Sequence, residues 1–212
     1  MADVVKEIAE SILNLDRASI GGQVEAALAA GTDPETILNE AMISSMEEAG
    51  RRFENEEFFV PEMLLAAKTM KEGMTVLTPY LAEKNVKSLG KMVVGTVQGD
   101  LHDIGKNLVA IMAEGGGFEV DDLGVDVSAE KFVEAARGEG VRLVALSSLM
   151  TTTLPIMRGT IEALKEAGLL DKVRVIVGGA AVTEPFSQEI GAHGYAPDAS
   201  RALRLAKSLI TR

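Results

Sequence analysis

A change of hydrophobic period near residue 88 limits what this chain can fold into more than any other feature. Before it, apolar residues recur at steps of three and four, the spacing of a helix face; after it, short β-branched runs alternate with helical ones. Residues 3–14 form a first amphipathic stretch, and a second runs from Asp16 to Ala30 and stops at Gly31, a C-terminal cap signal. Thr32-Asp33-Pro34 reads as an N-cap followed by proline at the first helical position. The third helix sets Leu38, Ala41, Met42, Ser45 and Ala49 along one side and ends near Gly50-Arg51-Arg52, with Phe53 to Phe59 a loop before Val60-Pro61. The fourth carries Met63, Ala67, Met70, Met74, Leu77 and Leu81 as one apolar seam. Short connections between four such helices predict an antiparallel bundle over residues 1–88.

After Asn85-Val86-Lys87-Ser88 the chain reads as alternating elements over residues 89–212. Strands are expected at 91–98, 118–123, 141–147, 172–177 and 193–195. Helices are expected near 104–114, 128–137, 153–167 and 184–190, with a last one from Asp198. Strict alternation implies a parallel sheet covered by helices on both faces. Five strands make this an α/β, doubly wound domain of Rossmann-like (flavodoxin-like) type.

Composition narrows the chemistry. With no cysteine, disulfides, thiolate metal sites and Cys nucleophiles are excluded. A formal net charge of −11 argues against nucleic acid or an anionic membrane as partner. No apolar run reaches the roughly 18–20 residues of a membrane span, and the N-terminus does not read as a signal peptide, so a cytoplasmic location is expected. Residues 1–88 hold 16 acidic and 8 basic side chains, against 16 and 13 in the remainder. That excess is either a solvated helical surface or a docking face for a basic partner.

In doubly wound sheets, ligands bind outside the carboxyl ends of the strands. The loops expected there are Gly99-Asp100-Leu101-His102-Asp103-Ile104-Gly105, Ser147-Ser148-Leu149-Met150-Thr151-Thr152-Thr153, Gly178-Gly179-Ala180 and Tyr195-Ala196-Pro197-Asp198-Ala199. The first is no dinucleotide fingerprint: it lacks G-x-G-x-x-G and puts acid groups where a pyrophosphate would sit. It offers a histidine with a carboxylate two residues earlier. Residues two apart in extended backbone point the same way, so Asp100 can hold one imidazole nitrogen while the other faces outward. A surface histidine capping a helix is the plainer alternative. His102 and His193 are the only histidines, so a zinc site would need His102 plus several carboxylates. One protein ligand suffices if a macrocycle supplies the remaining bonds.

Asp100-Leu101-His102-Asp103-Ile104-Gly105 has the D-x-H-x-x-G form of cobalamin-binding domains, followed in register by Ser147-Ser148-Leu149 and Gly178-Gly179. Together with the preceding helical bundle, these motifs resemble the corrinoid proteins of methyltransferase systems and the cobalamin-binding module of methionine synthase. The resemblance spans nearly the whole chain. It implies that His102 replaces the cofactor's own base as lower cobalt ligand (base-off/His-on) and that Asp100 hydrogen-bonds the imidazole. Thr153 stands where methionine synthase has a serine completing the relay. It further implies a cofactor contact along Gly99–Gly105, with Asp103 and Ile104 within it, and at Leu149. The displaced nucleotide tail would run beside Ser147, Thr151, Gly178 and Gly179, with Ala199 at its far end. Ser147 and Thr151 are otherwise ordinary strand-end or N-cap hydroxyls. Residues 1–88 become a four-helix bundle cap whose Phe53, Val60 and Met63, with Phe59 nearby, cover the upper methyl ligand.

The implied function is a methyl carrier rather than a complete enzyme. Cobalt would receive a methyl group from a substrate:corrinoid methyltransferase and yield it to a second methyltransferase with a tetrahydrofolate or thiol acceptor, a reductive activase restoring the cofactor. The 82–90 connection would let the cap move aside during transfer. A cobalamin-dependent sensor or regulatory module uses the same two domains. A cobalamin mutase small subunit would lack the helical cap, and a phosphoreceiver domain needs an Asp where Ser147-Ser148 stands.

Overall fold

A computed structural model of the chain describes residues 2–84 and 88–210. The stretch 85–87 of the expected 82–90 connection therefore lies outside the described residues. Spatial proximity separates two units, Met1–Lys87 with Gly115–Gly117, and Ser88–Glu114 with Phe118–Arg212.

The helical unit opens with α1 (Ala2–Leu13) and α2 (Ile20–Ala29). The second helix starts later than its periodicity implies. Asp16 Oδ1 accepts the N–H groups of Ala18 and Ser19, 3.1 and 3.2 Å away, and Leu15 is left-handed at φ 63°, so 15–19 is a turn. Next, α3 (Pro34–Thr36), a π-helical stretch (Ile37–Ile43) and α4 (Ser44–Glu54) continue one another without a break. Pro34 takes the first helical position after Asp33, but the Asp33 side chain makes no capping bond; it pairs with Lys84 instead.

The third helix does not end at Gly50-Arg51-Arg52. Arg51 and Arg52 both pair back to Glu48 one turn earlier, which supports another turn, and Gly50 is buried within the helix. Phe53 is thus helical. The stop comes where Glu56 turns left-handed at φ 62° and the amides of Glu57 and Phe58 reach back to the Arg52 carbonyl.

Helix α5 (Val60–Glu83) begins with proline at its second residue, and Glu62 Oε2 accepts the Phe59 N–H at 3.0 Å. Its buried seam is Met63, Ala66, Met70, Gly73, Leu77 and Leu81, so Ala66 and Gly73 replace the expected Ala67 and Met74. Gly73 lets the helices approach closely there: a Cβ would stand 2.6 Å from Met42 Cε and 3.0 Å from Ile20 Cγ1, so both side chains would have to shift.

The second unit is a five-stranded sheet in the order β2-β1-β3-β4-β5, with every pairing parallel. The strands are β1 (Lys91–Thr96), β2 (Glu119–Asp122), β3 (Val141–Ser147), β4 (Arg174–Gly178) and β5 (Gly194–Tyr195). The helices are α6 (Ile104–Gly115), α7 (Ala129–Ala136), α8 (Leu154–Glu166), α9 (Glu184–Glu189) and α10 (Ala199–Ile210). Thr151–Thr153 forms a single 3₁₀ turn ahead of α8. Strands β1, β3 and β4 are almost continuously buried, as both-face coverage demands. Winding reverses between β1 and β3, and in such sheets the crevice at the carboxyl ends of that strand pair is where a ligand sits. Among the described residues, no helix is long and apolar enough to cross a membrane.

Phe132 of α7 closes one side of the sheet core. It is fully buried, and Gly95 of β1 makes room for it: a Cβ at Gly95 would lie 2.7 Å from the ring. Phe132→Ala leaves a ring-sized void beneath β1 and should lower stability by about 3–5 kcal/mol. Urea unfolding of the variant checks this, and an unchanged midpoint would contradict it.

Candidate functional site

The loop after β1 is short and heavily bonded. Gly99 is left-handed at φ 83°, and the Asp100 N–H donates to the Val97 carbonyl at 3.2 Å, so the chain turns tightly off the strand. The turn carries the Asp100 side chain inward, where it is wholly buried. Oδ1 accepts the His102 backbone N–H at 3.0 Å and lies 2.7 Å from the His102 Nδ1. Oδ2 accepts the Leu149 N–H, from the loop after β3, at 2.7 Å. The Thr96 hydroxyl, buried at the end of β1, donates to the His102 carbonyl at 2.8 Å and fixes the segment from beneath.

Burial raises the Asp100 pKa, but the backbone N–H groups of His102 and Leu149 and the imidazole outweigh it and hold the carboxyl below its ordinary value. An ionised carboxylate only accepts, so the proton between Asp100 and His102 belongs to Nδ1. In the neutral ring the lone pair is then on Nε2, and about half of the His102 side chain is open to solvent. Among the described residues no hydrogen bond engages Nε2.

Thr153 lies beyond the carboxylate, with its hydroxyl 3.4 Å from Asp100 Oδ2, 2.9 Å from the Met150 carbonyl and 2.8 Å from the buried Ser148 hydroxyl. A threonine has one O–H proton, and the nearer Met150 carbonyl is its better acceptor. Leu149 N–H is therefore the principal partner of Oδ2.

Other expected site residues share this edge. Ser147 ends β3, its carbonyl accepting the Val97 N–H at 3.0 Å, and Thr151 opens the 3₁₀ turn. Ala199 is buried at the start of α10. Leu101, Ile104 and Leu149 are exposed apolar side chains, the first two at 71%. Asp103 binds back along α6 through Asn107. The glycines divide by role. A Cβ at Gly179 would stand 2.1 Å from the Ser148 carbonyl oxygen, and one at Gly178 2.8 Å from that of Ala196, so both admit the chain's own backbone. At Gly105 a Cβ would meet nothing within 4 Å, so the chain's own packing does not require glycine there.

Phe53, Val60 and Met63 belong to the helical unit. Phe53 and Val60 are half-buried and Met63 is buried, while Phe59 is exposed. His193 sits at the opposite sheet edge, before β5. Its Nδ1 accepts the Val175 N–H at 2.9 Å, and burial followed by the Arg174 charge lowers its pKa. Two residues that hold the site escape motif reading. They are Thr96 and Asp126, whose Oδ1 accepts the Gly99 N–H at 2.7 Å. Asp126 belongs to no motif; its left-handed backbone, φ 54°, marks it only once the fold is known.

Among the described residues, no group of three or more His, Cys, Asp or Glu side chains is placed to hold a metal ion. The edge offers instead one oriented imidazole, an apolar surround and an open approach over Gly105.

Family models described as B12 binding domains match residues 90–204 and 4–78. Dimethylamine corrinoid protein 1 of Methanosarcina acetivorans is 39% identical over 209 residues, covering 98% of both chains. A cobalamin-binding protein from Desulfitobacterium hafniense is similar in structure, with TM-score 0.82, 32% identity and 99% of both chains covered. The methanol:cobalamin methyltransferase complex MtaBC of Methanosarcina barkeri aligns with TM-score 0.84 and 29% identity, over 99% of this chain and 80% of that one. The residues described above fit such a cofactor. One imidazole nitrogen suffices where a macrocycle carries the metal, and the exposed apolar side chains offer a face to its ring.

Asp100 has a testable pH signature. Its folded pKa lies below the ordinary 3.8, so the stability it contributes is present above the unfolded value and lost as pH falls through the folded one. Asp100→Asn should be less stable by about 2 kcal/mol at neutral pH. That gap should be full above about pH 5 and close in stronger acid. Thermal melts of both proteins across this range check it, and a gap independent of pH would refute it.

Proposed function

The chain belongs to the corrinoid proteins of methyltransferase systems, and from that premise we propose that it holds its cofactor base-off, with His102 as the lower cobalt ligand. As a member it is a methyl-carrying corrinoid protein that works with a methyltransferase, and its cofactor is cobalamin or a related corrinoid. We further propose that a second methyltransferase, using tetrahydrofolate or a thiol, removes the methyl group, and that a reductive activase restores the carrier. The observation that carries the His-on reading is the 2.7 Å bond between Asp100 and His102 Nδ1, because it leaves the Nε2 lone pair facing outward.

Each residue then has a defined task. Bound corrinoid supplies the cobalt centre that accepts and releases the methyl group. His102 donates its Nε2 lone pair, and Asp100 raises the basicity of that nitrogen through Nδ1–H. The Asp100 carboxylate would keep the ring oriented through Nδ1–H whether or not Nε2 is engaged. Leu149 N–H holds the carboxylate from the far side, with Thr153 peripheral. Leu101, Ile104 and Leu149 give the ring an apolar seat; Ser147, Thr151, Gly178, Gly179 and Ala199 border the path of the nucleotide tail.

The division at 1–88 and 89–212 gives the helical unit the cap role. Phe53, Val60 and Met63 are its covering residues, since apolar cover keeps water from a reactive methyl group. The methyl donor is not assigned. Relatives named for dimethylamine and for trimethylamine are 39% and 38% identical, and the methanol complex chain is 29% identical; donor selection belongs to the partner enzyme.

Reconstitution with hydroxocobalamin tests the ligand. The wild type should bind base-off, with a histidine nitrogen on cobalt in the absorption spectrum and, after one-electron reduction by an added chemical reductant, in the EPR spectrum. His102→Ala should lose that signature and bind about 10- to 100-fold more weakly. Base-on binding by the wild type, or identical spectra for the two proteins, would sink the assignment.

A further inference from the structure

We propose that Asp126, in the connection between β2 and α7, is a positioning residue that aims the Asp100–His102 pair; the inference rests on His102 being the cobalt ligand. Asp126 is exposed, so burial does not explain its conformation, and it holds a left-handed backbone at φ 54°. In that conformation it grips two successive residues of the His102 loop. Its N–H donates to the Asp100 carbonyl at 3.0 Å, and its Oδ1 accepts the Gly99 N–H at 2.7 Å. These are the outward-facing groups of the turn that carries the Asp100 side chain inward. Glycine would reach the same φ without steric cost but would provide no acceptor; asparagine tolerates the left-handed region and keeps one.

The connection bearing Asp126 is itself anchored. Gly124 O accepts the Thr96 N–H at 3.0 Å, the Val127 N–H donates to the Thr96 carbonyl at 3.0 Å, and the Leu123 N–H donates to the Val94 carbonyl at 2.9 Å. At its start, Asp122 takes the buried Lys106 ammonium of the first turn of α6, at 2.5 and 2.6 Å, and the Gly124 N–H at 2.9 Å. One segment, 122–127, therefore secures the chain on both sides of His102: at Gly99 and Asp100 before it and at Lys106 after it. Releasing the Asp126 grip frees the Gln98–Gly99 and Asp100–Leu101 peptides, which flank the Asp100 side chain, to rotate. The carboxylate then loses its aim at Nδ1 although Asp100 and His102 are both present.

Asp126→Ala, Asp126→Asn and Asp126→Gly in the full chain separate the contributions. In the unloaded protein, long-range ¹H–¹⁵N NMR reads the His102 tautomer. In the loaded one, hydroxocobalamin titration reads affinity, and EPR after one-electron reduction reads the histidine nitrogen on cobalt. Asp126→Ala should convert a single Nδ1–H tautomer to a mixture, weaken hydroxocobalamin binding about tenfold and reduce the His-on fraction. Asp126→Asn should restore all three readouts and Asp126→Gly none. A wild-type tautomer pattern in Asp126→Ala, even with lowered thermal stability, overturns the proposal. So does Asp126→Gly matching Asp126→Asn, and that pair decides the matter if the alanine variant does not fold. Should the wild type itself show no histidine nitrogen on cobalt, the ligand assignment fails by itself, and the tautomer series in the unloaded chain still judges Asp126.

Discussion

The site depends on keeping one buried carboxylate charged. Asp100 is removed from water, a change that by itself drives a carboxyl toward its neutral form. Three N–H groups reverse this: the His102 amide, the His102 ring and the Leu149 amide. Two of the three donors come from the residue being oriented, and the third comes from the neighbouring strand's loop. The charge thus ties the β1 and β3 loops together and selects the imidazole tautomer in the same arrangement. A neutral acid there would leave the Nδ1 proton unassigned and the Leu149 amide with a poorer acceptor.

That tie is possible only because of the strand order. β1 and β3 are hydrogen-bonded neighbours although β2 lies between them in sequence, so winding reverses there and the two carboxyl ends open onto a common crevice. Gly179 adds a third loop to the junction, its missing Cβ leaving room for the Ser148 carbonyl, while Ser148 N–H bonds the Gly178 carbonyl at 3.1 Å. Three consecutive edge loops therefore share backbone contacts, and the sheet transmits its rigidity to the histidine.

The parallel sheet and most helices of the second half were legible because periodicity and strand burial report the same fact. Strand ends differ by one or two residues, as at Gln98, Phe118 and Lys172, where pairing rather than propensity sets the limit. The first half was less legible at its joints. Gly50 looks like a stop, yet the pairing of Arg51 and Arg52 with Glu48 carries the helix through it. A π-helical stretch over Ile37–Ile43 has no compositional mark. In the site, side-chain alternation places Asp100 beside His102, but the Leu149 amide and the Asp126 clamp escape a sequence reading. One is a main-chain group that any residue supplies, and the other depends on a left-handed backbone that aspartate adopts only occasionally.

The apolar surround of His102 has a further consequence, for the life of the protein without its cofactor. Leu101, Ile104 and Leu149 are exposed apolar side chains, and Gly105 gives them no cover. Whatever occupies that surface stabilises the folded form by mass action, in proportion to the logarithm of its concentration over its dissociation constant. Cofactor supply is thereby coupled to how long each molecule survives proteolysis and how readily it self-associates. The stability of the folded chain is in this way tied to the supply of the cobalt compound that it holds.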